Sequence, residues 1–250
     1  MERNSLDPLA WYREYVFEKG RVDKWSYLLQ SKIWGSHSHG TELPESDVDY
    51  LGVYVASNRS MLGMKKPADT ITGEKPDFQV HEVGKFCDLL MKGNPGIIEM
   101  LFTDRMCWEH EKWGRLKESR KEFLSQRTVK QYLGYAQAQI KRLEAGQSVH
   151  SKGGKVGEKW SYHMYRTARD AKRIAAGGVP VVWKEGSELE TLMAIRRGQI
   201  TPLDVVRMTK ELIADVDAMS AWRTSMPEEG DEAFLEDWLL WVRGIDVNAY

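Results

Sequence analysis

The run DYLGVYVAS, residues 49–57, is dense in valine and tyrosine and reads as a buried β-strand, yet two aspartates head it, Asp47 and Asp49. Residues i and i+2 of a strand project from one face, so these carboxylates point together. Adjacent carboxylates repel, and neither stays ionised in a half-buried place without a compensating cation. Magnesium supplies one: it is hard, prefers oxygen, and is usually held by one or two carboxylates plus substrate phosphates. Ahead of the pair stands Gly35-Ser36, then a ten-residue polar loop carrying Gly40, Pro44 and Ser46. Gly35 lets the backbone approach a ligand closely, and Ser36 offers N–H and hydroxyl groups to phosphate oxygens. Two metal ions there would activate an attacking hydroxyl and stabilise a leaving pyrophosphate in line. A bare Asp-x-Asp is as a rule only a polar turn. The full order, strand, Gly-Ser, polar loop, Asp-x-Asp, apolar strand, is more informative.

The rest of the chain supplies a frame. SLDPLAWYREYVFEKG reads as a helix with a proline in its first turn and a glycine stop, and KWSYLLQSKIWGS as a strand running into the Gly-Ser turn. DFQVHEV alternates as a further strand; GKFCDLLMKGN and NPGIIEMLF read as helices, the second with Pro95 in its first turn and Asn94 as cap. From about residue 115 the texture becomes helical, with five segments carrying apolar residues at helical spacing. These features predict an α+β chain: a mixed-sheet unit over 1–115, then a helical unit over 116–250, the boundary falling within 105–125. The scattered tryptophans read as core. The acidic stretch 228–237 reads as a helix start carrying favourable charge.

Gly35-Ser36, ten residues, then Asp47-Val48-Asp49 resembles the signature of the nucleotidyltransferase superfamily. More narrowly, HEVGKFCDLLMKGNPGIIEMLF, KWSYHMYR and LMAIRRGQITPLDV are similar, in that order, to segments of the RNA-repair-ligase-associated, RlaP-like nucleotidyltransferases. His37 and His39 depart from the arginine or alanine and the tyrosine expected there. The resemblance implies a polymerase-beta-like nucleotidyltransferase domain and a helical domain closing the nucleotide cleft. It also implies Mg²⁺ (or Mn²⁺) on Asp47 and Asp49, with Ser36 against the triphosphate. A third carboxylate is expected from a neighbouring strand: Asp77, which heads DFQVHEV, or Glu82, whose odd separation from Asp77 puts it on the opposite face unless the strand bulges.

The helix near 158–176 carries a second signal. Lys159, His163, Arg166 and Asp170 lie on one stripe, and residues 141–173 hold nine Lys or Arg against three acids. A triphosphate needs such cations, so Lys159 and Arg166 are expected on its phosphates, while Lys152 and Lys155 are placed to meet an RNA backbone. His163 bonds a phosphate or a base, or is a satisfied helix histidine; the pattern leaves these open. So it does for Glu99, on the surface or at the site, and for Arg196-Arg197, in the basic patch or at their own helix end.

Composition narrows the partners. Net charge is −1, so any attraction to nucleic acid is local. Two cysteines, Cys87 and Cys107, make no metal or disulfide framework, and a charged N-terminus and the lack of a long apolar run predict a soluble, cytosolic chain. The expected reaction moves an NMP from an NTP to an acceptor hydroxyl, first an RNA 3′ end. The alternatives are AMPylation of a protein, and a nucleotide or RNA sensor that keeps the fold without turnover.

Overall fold

The computed structural model describes residues 9–145 and 156–245; the head of the first expected helix and Lys152 and Lys155 lie outside them. In chain order the elements are helix α1 (Ala10–Tyr12, continued as a π-helical turn over Arg13–Phe17), strand β1 (Tyr27–Trp34), α2 (Ser36–His39), β2 (Asp49–Val55), α3 (Asn58–Leu62), β3 (Thr70–Glu74), β4 (Asp77–Glu82), α4 (Val83–Met91), α5 (Pro95–Phe102), β5 (Met106–Glu109), α6 (Glu111–Glu118), α7 (Gln126–Glu144), α8 (Val156–Ala175), α9 (Gly186–Arg196), α10 (Pro202–Ala218), α11 (Trp222–Ser225) and α12 (Glu232–Val242). The chain is α+β.

It divides into two compact units that do not follow a single cut. One comprises Met1–Leu89, Thr103–Ser119 and Asp231–Tyr250; the other Leu90–Phe102 and Arg120–Gly230. The cause is burial between residues far apart in sequence. Trp238 of α12 is fully buried, donates from Nε1 to the Lys112 carbonyl at 3.1 Å, and packs near the rings of Trp113 and Phe86. Tyr27 donates to the Val242 carbonyl at 2.7 Å, so the last helix belongs to the sheet. In the helical unit Tyr132 of α7 donates to the Pro95 carbonyl at the head of α5.

The sheet has order β3-β4-β2-β1-β5, with β2 and β4 parallel and the other pairs antiparallel. Tyr50 and Phe78 are partners across β2 and β4, and both meet the Trp11 ring of the N-terminal helix, at 5.1 and 5.3 Å between centroids. That face is closed by Trp11, Tyr12 and Val16. By alternation, Asp49 and Asp77, each one residue earlier, fall on the other face. The helical unit has its own core, built from Ile140, Tyr162, Tyr165, Leu192, Val205 and their neighbours on α7 to α10. Ser125 and Thr128 form a capping box at the start of α7.

His81, near the end of β4, is 5% exposed and shares a hydrogen bond with Thr70 Oγ1 at 2.9 Å. Burial, reinforced by Lys85, pushes its pKa from 6.5 down to about 4. The unfolded chain therefore takes up this proton first, and stability falls as pH drops from 6.5 towards 4. The loss sums to about 3 kcal/mol. Thermal melts between pH 7 and 4 should show it, and His81→Gln should flatten that part of the slope. An unchanged slope in the variant would place the acid sensitivity elsewhere.

Candidate active site

Strand β1 ends at Trp34, which pairs with Asp49, the first residue of β2. Between them Gly35 takes φ 65° and ψ −146°, a backbone state open to glycine almost alone. A Cβ there would overlap Asp49 Oδ2 and lie 3.1 Å from its Cγ. Glycine is thus required twice, by its dihedrals and by the carboxylate packed on its Cα. The turn that follows is tightly tied. Ser38 Oγ donates to the Gly35 carbonyl at 2.8 Å, and the Thr41 N–H donates to the Ser36 carbonyl at 3.1 Å. His37 Nε2 meets the Ser46 carbonyl at 3.2 Å, and the Leu43 N–H donates to Ser46 Oγ at 2.9 Å. So His37, one of the two departures noted in the sequence, joins the turn to the segment that delivers Asp47. His39 is buried, with its ring 6.3 Å from that of Trp34.

Asp47 is exposed two residues ahead of β2, Asp49 is half-buried, and Asp77 is exposed at the head of β4. Glu82 is elsewhere. The β3–β4 register is unbroken, so no bulge reverses its direction, and it pairs with Tyr54 at the far end of the sheet. Its carboxylate accepts from Arg243 Nη2 at 2.9 Å and from the Gly84 N–H at 2.6 Å. Glu82 joins β4 to the end of α12. Among the described residues no three His, Cys, Asp or Glu side chains stand together in a metal-holding cluster. The donor set at Asp47 and Asp49 nevertheless suits magnesium, which commonly takes one or two carboxylates and fills its other positions with water and substrate oxygens.

In the helical unit the stripe on α8 divides. Lys159 is exposed, with no acid partner among the described residues. His163 is half-buried; burial, then Arg166, Lys159 and Arg196, push its pKa down to about 3, so it is neutral at pH 7. Arg166 is 6% exposed and donates from Nη1 to Glu99 Oε1 of α5 in a buried ion pair. Glu99 is fully buried, and burial raises its pKa against the pull of Arg166. One turn on, Asp170 takes Lys184 at 3.0 Å and Arg173 at 2.5 Å; Lys184 also reaches Glu188 at 3.1 Å. Lys184 is 1% exposed, and burial brings its pKa down to about 8. Neither Glu99's part in this network nor Lys184's was visible in sequence; the only local hint was an ionisable residue inside an apolar run, as in GIIEMLF and PVVWKEG. Arg196 ends α9 with its guanidinium 5.4 Å from the Tyr162 ring centroid.

With the Gly-Ser turn and the aspartate strand meeting at one end of a mixed five-stranded sheet, the chain is of the polymerase-beta-like nucleotidyltransferase class. It belongs to RlaP, the RNA repair pathway DNA polymerase beta family, which matches residues 23–234. A curated relative, the uncharacterized 38.9 kDa protein in the nrdC-mobD intergenic region of enterobacteria phage T4, is 27% identical over 148 residues, 51% of this chain and 44% of that protein. The chain thus spans less than half the length of that relative. Among solved structures, a nucleotidyltransferase-like protein from Exiguobacterium sibiricum 255-15 covers 83% of this chain, which covers 72% of it, at 10% identity and a TM-score of 0.30. No described helix is long and apolar enough to cross a membrane.

Proposed function

We propose that the chain transfers a nucleoside monophosphate from an NTP to an acceptor hydroxyl, and that the acceptor is an RNA 3′ end. The observation that supports this is the packing of the Asp49 carboxylate on Gly35, so that the Gly-Ser turn and the head of the aspartate strand meet. The hydroxyl gives up its proton to solvent water, and its oxygen bonds to the α-phosphorus as the bond to the pyrophosphate oxygen opposite it breaks. Gly35 and Ser36 present backbone N–H and hydroxyl groups to the triphosphate. Asp47 and Asp49 would hold magnesium, with Asp77, on the same face of the parallel neighbour, as the third carboxylate. A magnesium ion held there would supply Lewis-acid chemistry, a lower pKa for the acceptor hydroxyl and an offset to the charge on the departing pyrophosphate. Catalysis is then mostly positioning and electrostatics.

Lys159 is the cation of α8 open to a phosphate; Arg166 supports its helix through Glu99 instead, and His163 enters as a neutral group. The family's description as an RNA repair pathway supports RNA as acceptor. Two unpaired cysteines, Cys87 buried with its thiol pushed up to about 12, suit a reducing cytoplasm.

The test supplies Mg²⁺, each α-labelled NTP and either RNA or cell lysate to the wild type and to an Asp47→Ala/Asp49→Ala variant. Label in RNA from the wild type alone is the expected result. Label in a protein band would replace the RNA acceptor by AMPylation. Turnover surviving in the variant would sink the assignment of both aspartates, and NTP binding without transfer to any acceptor would leave a sensor.

A further inference from the structure

Trp25 is the most exposed of the ten tryptophans, at 58%. It stands two residues before β1, and Gly35 follows the last residue of that strand. Eight strand residues at about 3.3 Å each separate the two places by roughly 25–30 Å. Lys24 Nζ lies 4.5 Å from the Trp25 ring centroid, and Arg59 Cζ, on α3, lies 5.7 Å from it. Both cations are exposed, and neither has an acid partner among the described residues.

One carboxylate organises this surface. Asp23 Oδ1 accepts from the Trp25 N–H at 3.1 Å, the Ser26 N–H at 2.8 Å and Ser26 Oγ at 2.9 Å. Its Oδ2 accepts from Ser57 Oγ at 2.5 Å and from Ser60 Oγ. Ser57 in turn caps α3, whose first turn carries Arg59. The segment bearing the ring and the helix bearing the cation are thus fastened to the same group, which spends its acceptor capacity on them. The core needs no indole here, because the ring is mostly in solvent. The hydrogen bonding preorganises an aromatic face beside two cations.

We propose that Trp25, with Lys24 and Arg59, is a stacking platform for single-stranded RNA at the end of the sheet opposite the Gly-Ser turn. A base lies on the indole while the two cations take the phosphates on either side of it. Lys24 leaves the ring to do so, at the modest cost of an exposed cation–π contact. Any base has a π-face, so the platform grips without reading sequence, as an enzyme acting on RNA ends of varied sequence requires. The choice of RNA rests on the acceptor reading above; the presence of a platform does not.

The experiment is fluorescence anisotropy with an end-labelled, unstructured RNA of about 15 nucleotides, near the upper site size of single-strand binders. Wild type, Trp25→Ala, Trp25→Phe and Lys24→Ala/Arg59→Ala are compared over a range of salt. Trp25→Ala should bind about tenfold more weakly, and Trp25→Phe within about threefold of wild type. Lys24→Ala/Arg59→Ala should lower the slope of log K against log salt by about 1.4, two phosphates' worth for a single strand. Wild-type affinity in Trp25→Ala overturns the platform, as does binding that depends on the two cations and not on the ring, or no RNA binding by the wild type. Trp25-dependent RNA binding in an enzyme that labels only protein would overturn the acceptor reading and leave the platform standing.

Discussion

Gly35→Ala is expected to lose both turnover and stability, with turnover falling about a hundredfold or more. The methyl group would occupy the space of Asp49 Oδ2, so the carboxylate has to move, and displacements near 1 Å at a reacting centre cost about that factor. The backbone adds its own penalty, because φ 65° with ψ −146° strains an L-residue by about 1–3 kcal/mol. The melting temperature should therefore fall by roughly 5–10 °C, given about 2–4 °C per kcal/mol for a chain of this size. A double variant separates the causes. In Gly35→Ala/Asp49→Ala the overlap is relieved while the dihedral strain remains, so part of the lost melting temperature returns and turnover is not restored. The readouts are single-turnover transfer and calorimetry on the same samples. Wild-type turnover in Gly35→Ala would mean that the contact between turn and carboxylate is packing alone.

Much of this site could be read along the chain because its parts are close in sequence. The spacing from Gly35 to Asp49 brings a turn and a strand end together across one antiparallel pair, and alternation along β4 separates Asp77 from Glu82. Helices α4, α5 and α7 to α10 showed themselves by period and cap, down to Asn94, whose Oδ1 accepts from the Ile97 N–H. Strands β3 and β5 went unread. β3 is five residues with one buried side chain, and β5 has four residues, so neither offers an alternation to detect.

The charge on α8 could not be judged from its own segment. The nine Lys and Arg of residues 141–173 look like an open patch, but Arg166 finds Glu99 67 residues away, Arg173 finds Glu188, and Lys172 finds Asp215. A local charge count measures a field only where the neutralising groups are local too. The two compact units interleave along the chain for the same reason. Where α12 and α5 belong is decided by what Trp238 and Glu99 are buried against, and no periodicity contains that.

The buried pair makes the second large effect. If Arg166 bound the triphosphate, Arg166→Ala would raise KM for the NTP and leave the fold as stable as before. The structure leads to the opposite expectation. Glu99 is fully buried, and breaking its ion pair by removing the guanidinium is a change that typically costs about 3–5 kcal/mol. The melting temperature should drop by roughly 10 °C, and the helical unit should lose protection from hydrogen exchange before the sheet unit does. Since burial already raises the pKa of Glu99, the carboxyl without Arg166 will take up a proton on folding, and the variant should be more stable at pH 5 than at pH 8. Glu99→Gln placed in the Arg166→Ala background removes the ionisable group, so it should recover part of the stability and abolish that pH dependence. Replacing both members by apolar residues, Glu99→Leu/Arg166→Met, should come closer still to wild type, because a buried ion pair is often no stronger than a well-packed hydrophobic one. An Arg166→Ala protein that melts like wild type but binds NTP poorly would return this residue to the phosphates.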